Sequence, residues 1–375
     1  MCRPACPRAL ISDDVFDQEK VFVNITAQFE QYGSSFKFIN GNVTRLDHTQ
    51  QSVSVEVNGT VQQIEYHALI IATGASTYSP LFGFNRDKDF LRASWIAFRA
   101  ALPSAKSIVI AGGGSTGVET AGELGEYCNG LAGWFSSKLV NPKVSITLVS
   151  AGNNLLPSLR PAIAKDAEAY LAKVGVTVVN GTRVKNVVAQ GSEASPQDAG
   201  SSTSHGPGID DVAAKATLIL DNGTTIEADL YIPAFGSRPN TAFVTDRSLL
   251  NDDGRIATDA TLRVVGAGPR VYAVGDASSY AQPAIHQLLA AIPILSANIK
   301  RDLLLAAGKE VKGEDRVFVE DKRETQLVPI GRSKGVGAAM GYRIPSFLVW
   351  MIKGRDYWLW TTGNLWSGKQ WAKEG

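Results

Sequence analysis

A glycine-rich loop between an apolar strand and a helix is the feature that most constrains this sequence. Residues 107–111 read SIVIA, and Gly112-Gly113-Gly114-Ser115-Thr116-Gly117 follows them directly. In this context Gly112 permits a tight turn, Gly114 lets the backbone approach a pyrophosphate, and Gly117 lets the helix pack on the strand. The N-terminus of the helix then offers unpaired N–H groups to the phosphates. The pattern predicts a dinucleotide-binding unit.

The residues after the next strand leave the choice of nucleotide open. An acid at the end of that strand favours the ribose hydroxyls of NAD, whereas a basic group favours the 2′-phosphate of NADP. The strand ends at Ser150, which is neither acidic nor basic. Arg160 lies nearby in the sequence and is equally interpretable as a surface charge, so the sequence does not decide between NAD and NADP.

Two further apolar strands end in small or acidic residues. The first runs into Ala72, Thr73 and Gly74, where the backbone can approach a ligand closely. The second runs into Gly275 and Asp276, and the aspartate can accept hydrogen bonds from a ribityl hydroxyl or act as a turn cap. Each motif is weak alone, but their order along the chain, ATG, GGGxxG and GD, is more specific.

The composition narrows the function classes. The chain has 375 residues, which suits two or three domains, and 44% of them are hydrophobic. A net charge of +1 argues against a nucleic-acid binder. The N-terminus lacks a signal-peptide core and no apolar run has transmembrane length, so we expect a cytoplasmic protein. The histidines show no ligand spacing, and we expect no metal site.

Together, the three motifs resemble the flavoproteins of the pyridine-nucleotide–disulfide oxidoreductase superfamily, which contain two dinucleotide-binding domains. The resemblance is strongest to the apoptosis-inducing-factor-like branch, which includes ferroptosis suppressor protein and its fungal relatives. Residues 328–337 (VPIGRSKGVG) look like the start of the C-terminal module of that branch, and residues 352–357 (IKGRDY) look like its Lys-x-Arg-Asp-aromatic segment.

The resemblance implies an α/β fold with two Rossmann-like, three-layer dinucleotide-binding domains, of which the first is incomplete, and a small C-terminal α+β module. The first 40 residues contain no counterpart of the family's first strand–GxGxxG–helix unit. The implied domains are an FAD-binding domain (1–103 and 241–310), an inserted NAD(P)-binding domain (104–240) and the C-terminal module (311–375). Within the second domain, residues 190–211 are polar and rich in Ser, Gly and Pro, which predicts a disordered insertion.

The resemblance also assigns residues to FAD and NAD(P)H. Those that line the two cofactor sites are Ala72, Thr73, Gly74, Gly112, Gly114, Gly117, Gly236, Gly275 and Asp276. Glu119 matches a glutamate that the family places near the nicotinamide and flavin, and Lys353 matches a lysine by the flavin ring. Taken alone, each of these two charged residues is also interpretable as an ordinary surface residue.

The implied activity is hydride transfer from NAD(P)H to flavin and then to a quinone or small organic acceptor. The chain has no CxxxxC pair, so a dithiol relay is not expected. The alternative is a degenerate or truncated relative with a non-catalytic nucleotide-binding or scaffold role. Five of the seven tryptophans lie in the last 60 residues. They suit either a peripheral membrane contact or an aromatic core or dimer face, and the oligomeric state stays open.

Overall fold

The computed structural model describes residues 3–83, 86–189 and 211–371. Its strands are Asn42–Asp47 (β1), Ser52–Val57 (β2), Thr60–Glu65 (β3), Leu69–Ile71 (β4), Ala75–Ser76 (β5), Ser107–Ala111 (β6), Ser145–Val149 (β7), Val176–Val179 (β8), Val184–Ala189 (β9), Ala216–Leu220 (β10), Thr225–Ala228 (β11), Leu230–Pro233 (β12), Arg238–Pro239 (β13), Val271–Ala273 (β14), Gln326–Ile330 (β15), Lys334–Ala339 (β16) and Tyr342–Arg343 (β17). Its α-helices are Cys6–Ala9 (α1), Ile25–Phe29 (α2), Lys88–Ala101 (α3), Ser115–Asn129 (α4), Pro161–Lys173 (α5), Ile285–Ala306 (α6), Ser346–Val349 (α7) and Leu359–Trp366 (α8).

The chain forms two compact units, each assembled from separate stretches of sequence. The first unit comprises the described parts of Met1–Val23, Thr77–Ser237 and Arg323–Thr362. The second comprises the described parts of Asn24–Ser76, Arg238–Lys322 and Gly363–Gly375. In the described ranges, no helix is both long enough and apolar enough to cross a lipid bilayer.

The first unit is built on a four-stranded parallel sheet in the order β12-β6-β7-β8. Side chains alternate along each strand, so β6 is apolar on both faces. Ile108 and Ile110 pack in a core with the helices, whereas Val109 and Ala111 pack in a second core with the antiparallel sheet β11-β10-β9. This unit therefore has three layers: helices, a parallel sheet and an antiparallel sheet.

The C-terminal strands belong to the same unit. The antiparallel sheet β15-β16-β17 lies against α4, and the contact is close because Gly122 has no side chain. A Cβ atom on Gly122 would lie 2.9 Å from the backbone of Ile330 and Gly331. The close packing places the residues of the C-terminal segment beside the helix that follows the glycine-rich loop.

The second unit contains a hairpin, which Asn58-Gly59 between the alternating segments of residues 53–65 predicts, and a short parallel pair of strands. Asn58 and Gly59 both have positive φ angles between β2 and β3, as a two-residue hairpin turn requires. Strands β4 and β14 pair in parallel, which aligns the ends of two motifs that are far apart in the sequence. The long helix α6 packs on a separate core around Tyr272 and Leu295.

The structure confirms the predicted α/β class and its Rossmann-like elements. The sequence pattern predicts helices at 161–173 and about 284–306, and these are present as α5 and α6. It predicts either a helix or a connecting segment at 88–102, and the structure shows the helix α3 there. The insertion expected at 190–211 lies outside the described residues, except for its last residue. The domain boundaries given above stay a prediction.

The alternating or β-branched residues of VFVNIT (21–26) and FKFING (36–41) predict two strands, and the structure contradicts both predictions. The segment at 21–26 is not a strand, because the Asn24 side chain accepts a hydrogen bond from Ala27 N (3.2 Å) and starts helix α2. The segment at 36–41 pairs with no described strand, and Phe36 instead stacks on Phe29 at 4.6 Å. In both segments the apolar alternation has no sheet to join, and local capping and ring stacking decide the conformation.

Candidate active site

The glycine-rich loop has the geometry that a dinucleotide pyrophosphate needs. Gly112 has a φ of +130°, and a Cβ atom there would lie 2.4 Å from the carbonyl oxygen of Ala234. A Cβ atom on Gly117 would lie 1.9 Å from the carbonyl oxygen of Gly112. The turn and the helix therefore close on each other only because both positions are glycine.

Gly114 is the N-cap of α4 and faces open space. Apart from its own neighbours in the chain, no described atom lies within 4 Å of the position that its Cβ would take, and no described side chain caps the helix. The first N–H groups of α4 are thus available to an anion, with the positive end of the helix dipole behind them. Gly236, which also has a positive φ, lies in the loop that follows β12, the strand next to β6 in the sheet. These features fit a bound pyridine nucleotide.

In the second unit, the ATG and GD motifs lie at the same edge of a parallel pair of strands. Strand β4 ends at Ile71, and the carbonyl oxygen of Ile71 accepts a hydrogen bond from Val274 N (3.0 Å). The Ala72–Gly74 and Gly275–Asp276 segments therefore emerge side by side. Gly74 has a φ of +67° and Gly275 a φ of +76°, so both turns need glycine. An exposed backbone at the carboxyl ends of neighbouring strands fits the ribityl and phosphate portion of a flavin.

Asn240 holds this edge together, a role that the sequence motifs did not identify. Its Nδ2 donates to the carbonyl oxygen of Thr73 (2.9 Å), and its own carbonyl oxygen accepts from Thr73 Oγ1 (2.7 Å). Asn240 N also donates to the carbonyl oxygen of Gly74 (2.9 Å). An asparagine directly after the Arg238-Pro239 strand was the available signal, but nothing local in the sequence links it to Thr73.

Glu119 and Lys353 form a buried ion pair in the first unit. Lys353 Nζ donates to Glu119 Oε1 at 2.6 Å and to the carbonyl oxygen of Leu327 at 3.0 Å. The two residues are only 3% and 7% exposed, so neither is an ordinary surface charge. Burial raises the pKa of the Glu119 carboxyl to about 6, against the opposing effect of the Lys353 charge. The structure thus brings together the two residues predicted to be catalytic.

A second buried ion pair lies one helical turn further along α4. Arg8 donates from Nε and Nη2 to the carboxylate of Glu123 at 2.6–3.0 Å, and its Nη1 donates to the carbonyl oxygen of Gly354 at 2.7 Å. Tyr357 Oη also donates to Glu123 Oε1, at 2.9 Å. Burial and the charge of Glu123 raise the pKa of Tyr357 well above its ordinary value, so the hydroxyl remains a donor. These three residues were not predicted, although two glutamates four residues apart on an otherwise buried helix were a signal.

The segment that carries Lys353 has an irregular backbone. Helix α7 continues into a π-helical turn, Trp350–Gly354, and Tyr357 and Trp358 then have positive φ angles. A π-turn interrupts the regular hydrogen bonding of an α-helix, and such turns are found frequently at functional sites. Because Arg8 binds the carbonyl oxygen of Gly354, the second ion pair fixes the turn that aims Lys353 at Glu119.

The two residues considered for the choice between NAD and NADP already have contacts within the protein. Ser150 is buried at the end of β7 and lies against the loop, since a Cβ atom on Gly113 would lie 2.3 Å from its Oγ. Arg160 is engaged by the carboxylate of Glu324 and by the carbonyl oxygen of Gly341. A guanidinium with these partners is poorly placed to receive a 2′-phosphate.

The described cysteines give no support to a dithiol relay. Cys6 and Cys128 form no disulfide, and burial raises the pKa of Cys128 to about 11, which keeps its thiol protonated and unreactive. No three histidine, cysteine, aspartate or glutamate side chains of the described residues cluster as metal ligands would.

Comparison with known proteins agrees with these motifs. The family model described as "Pyridine nucleotide-disulphide oxidoreductase" matches residues 5–293. The chain is 60% identical over 377 residues to the oxidoreductase phnG of Penicillium herquei, with 100% of this chain and 87% of that protein covered. It is 26% identical to ferroptosis suppressor protein 1 of Xenopus tropicalis, covering 92% of this chain and 82% of that protein.

Solved structures match the fold. An NAD-dependent persulfide reductase from A. fulgidus aligns with a TM-score of 0.60 and 19% identity. That alignment covers 89% of this chain, which spans 56% of the length of the reductase. At this level of identity the match shows a shared fold and nothing finer about the chemistry.

Proposed function

The chain belongs to the pyridine nucleotide-disulphide oxidoreductase family, and from this premise we propose that it passes reducing equivalents from NAD(P)H through FAD to a quinone or another small organic acceptor. The superfamily and the apoptosis-inducing-factor-like branch predicted from the motifs are confirmed, and the chain is an oxidoreductase. FAD and NAD(P)H are confirmed as the cofactors of this group of proteins. The acceptor and the residue roles below are our proposal.

The buried Glu119–Lys353 pair is the observation that carries the proposal. A buried ion pair is weak evidence for stability, because desolvation of both charges offsets their attraction. A carboxyl group with a pKa of about 6 can instead hold or release a proton near physiological pH. Reduction of a quinone to a quinol takes a hydride equivalent and one further proton. Glu119 would hold that proton at Oε2, because Oε1 accepts from Lys353 Nζ, and the charge of Lys353 would set the balance between the two protonation states.

The other site residues bind and orient. When bound, the pyridine nucleotide supplies a hydride and the flavin accepts it. Gly112, Gly114 and Gly117 would hold the phosphates of the nucleotide on the N-terminus of α4. The Ala72–Gly74 and Gly275–Asp276 segments would hold the ribityl and phosphate portion of the flavin, and Asn240 keeps the first of these segments in place.

We propose NADH as the preferred donor. Arg160 is the first cation after the end of β7, and Glu324 already neutralises it. Discrimination in favour of NADPH needs a cation available for the 2′-phosphate. We infer that the acceptor is a quinone from the resemblance to this branch and from the presence of a proton donor.

The visible spectrum of the purified chain incubated with FAD tests this function. We expect a flavin band that NADH bleaches anaerobically, faster than NADPH does, and that a water-soluble benzoquinone restores. Glu119→Gln should slow the quinone step about 100-fold and remove its pH dependence near 6. In the comparison variant Glu123→Gln, on the same helix, the pH dependence should persist but move to lower pH, because the charge of Glu123 helps to raise the pKa of Glu119.

Three results would contradict the proposal. Absence of a flavin band after incubation with FAD would favour the non-catalytic alternative. A flavin that NADH does not bleach would remove the donor role. An unchanged pH profile in Glu119→Gln would remove Glu119 from the proton step and leave the ion pair a packing feature.

A further inference from the structure

An aromatic pair at the tip of the loop between α4 and β7 is the most exposed apolar feature of the described chain. Trp134 is 90% exposed and Phe135 is 100% exposed. Exposure of large aromatic side chains to water is unfavourable in free energy. Two adjacent exposed rings therefore indicate an interaction surface. The nucleotide chemistry described above makes no use of either residue.

The loop that carries this pair is held firmly at its base. Ala132 N donates to the carbonyl oxygen of Lys173, and Leu139 N donates to that of Ala172, at 2.8 and 2.9 Å. The Asn129 side chain also bonds to both N and O of Val144, at 2.8 and 3.0 Å. The exposed tip therefore projects from a fixed base rather than from a frayed end.

The charged residues of the loop itself are all of one sign. The sequence contains no aspartate or glutamate between Glu126 and Asp166. Lys138 and Lys143 both lie in the loop and are exposed. An aromatic tip followed by two lysines matches the interface of an anionic lipid bilayer, where aromatic rings lie at headgroup depth and lysines meet the negative surface potential.

The position of the loop is compatible with such a contact. The glycine-rich loop lies at the N-terminal end of α4, and the aromatic tip follows its C-terminal end. With 15 residues, α4 separates these ends by about 22 Å. A surface docked at the aromatic tip would leave the N-terminus of α4 accessible.

We propose that the Trp134–Phe135 tip, with Lys138 and Lys143, docks the protein on an anionic lipid surface. The contact is peripheral: the two rings enter the headgroup region and the lysines remain at its surface. It is distinct from the tryptophan-rich C-terminal segment and does not depend on the proposed redox activity.

Co-sedimentation with phosphatidylcholine vesicles, with and without phosphatidylserine, tests the proposal. We expect the full chain to bind the vesicles that contain phosphatidylserine and to be released by salt. The double variant Trp134→Ser/Phe135→Ser should weaken binding about ten-fold or more. Lys138→Gln/Lys143→Gln should weaken it about ten-fold and reduce its salt dependence.

Matched variants separate this surface from other exposed aromatics. Tyr342→Ser, at a side chain 77% exposed, and Trp360→Ser, in the C-terminal segment at 60% exposed, should bind vesicles like the parent. Thermal unfolding of every variant checks that its fold is intact. The proposal is overturned if the parent does not bind phosphatidylserine vesicles, if the double variant binds equally well, or if Trp360→Ser alone abolishes binding. It is also overturned if sedimentation shows that the tip mediates a dimer in place of lipid binding.

Discussion

At the scale of single residues, the first unit buries four charges in two adjacent ion pairs. Glu119 pairs with Lys353, and Glu123 pairs with Arg8. Each charge is compensated only by a residue from a distant part of the chain. Removing one partner leaves the other buried and uncompensated, which is far more costly than removing both.

This asymmetry predicts the outcome of a double-mutant cycle. Glu119→Met and Lys353→Met should each lower the free energy of unfolding by about 3 kcal/mol or more, because each leaves a lone buried charge. The double variant should recover most of that loss, since two methionines fill the space without charge. Denaturant unfolding at neutral pH gives the three values. Strictly additive losses would mean that the pair is not coupled as the 2.6 Å contact indicates.

At the scale of elements, the loop before α4 uses its glycines for two different physical reasons. Gly117 is required by the fold itself, because its Cβ would meet the carbonyl oxygen of Gly112 at 1.9 Å. Gly114 is not required by any described neighbour, and its φ of −76° is open to any residue. Because Gly114 has no side chain, a ligand can approach the backbone there.

The two alanine variants should therefore separate stability from binding. Gly117→Ala should lower the free energy of unfolding by about 1–3 kcal/mol through overpacking and weaken NADH binding as well. Gly114→Ala should cost at most about 1 kcal/mol of stability yet weaken NADH binding at least as much. Thermal unfolding and a fluorescence titration with NADH measure both quantities. Normal NADH affinity in Gly114→Ala would show that no pyrophosphate approaches this position.

At the scale of the whole molecule, the cofactor motifs are divided between the two units. The glycine-rich loop and both buried ion pairs belong to the first unit, whereas the ATG and GD segments belong to the second. Each unit has its own apolar cores. A ligand that binds one unit should thus stabilise the elements of that unit first.

Hydrogen exchange with each cofactor separately checks this division. NADH should increase amide protection in β6 and at the start of α4, while FAD should increase it in β14 and the turn Gly275–Ala277. The amides of β10, on the far side of the first unit from its helices, serve as an internal reference. Protection of β14 by NADH alone, with none at α4, would contradict the assignment of the glycine-rich loop to the pyridine nucleotide.

The sequence by itself determined the features that depend on near neighbours in the chain. The loop glycines, the Asn58-Gly59 turn and the bounds of α5 follow from local backbone preferences and periodicity, which adjacent residues decide. The same reasoning failed at residues 21–26, because a strand needs a partner that local alternation does not supply.

Only the tertiary structure decided which charges are buried and with which partners. Glu119 and Lys353 are 234 residues apart, and the resemblance marked both without pairing them. Arg8, Glu123 and Asn240 were missed, because a buried charge or amide has meaning only once its partner is known. Chain folding brings such groups together, and the low dielectric of the core then makes their pairing decisive.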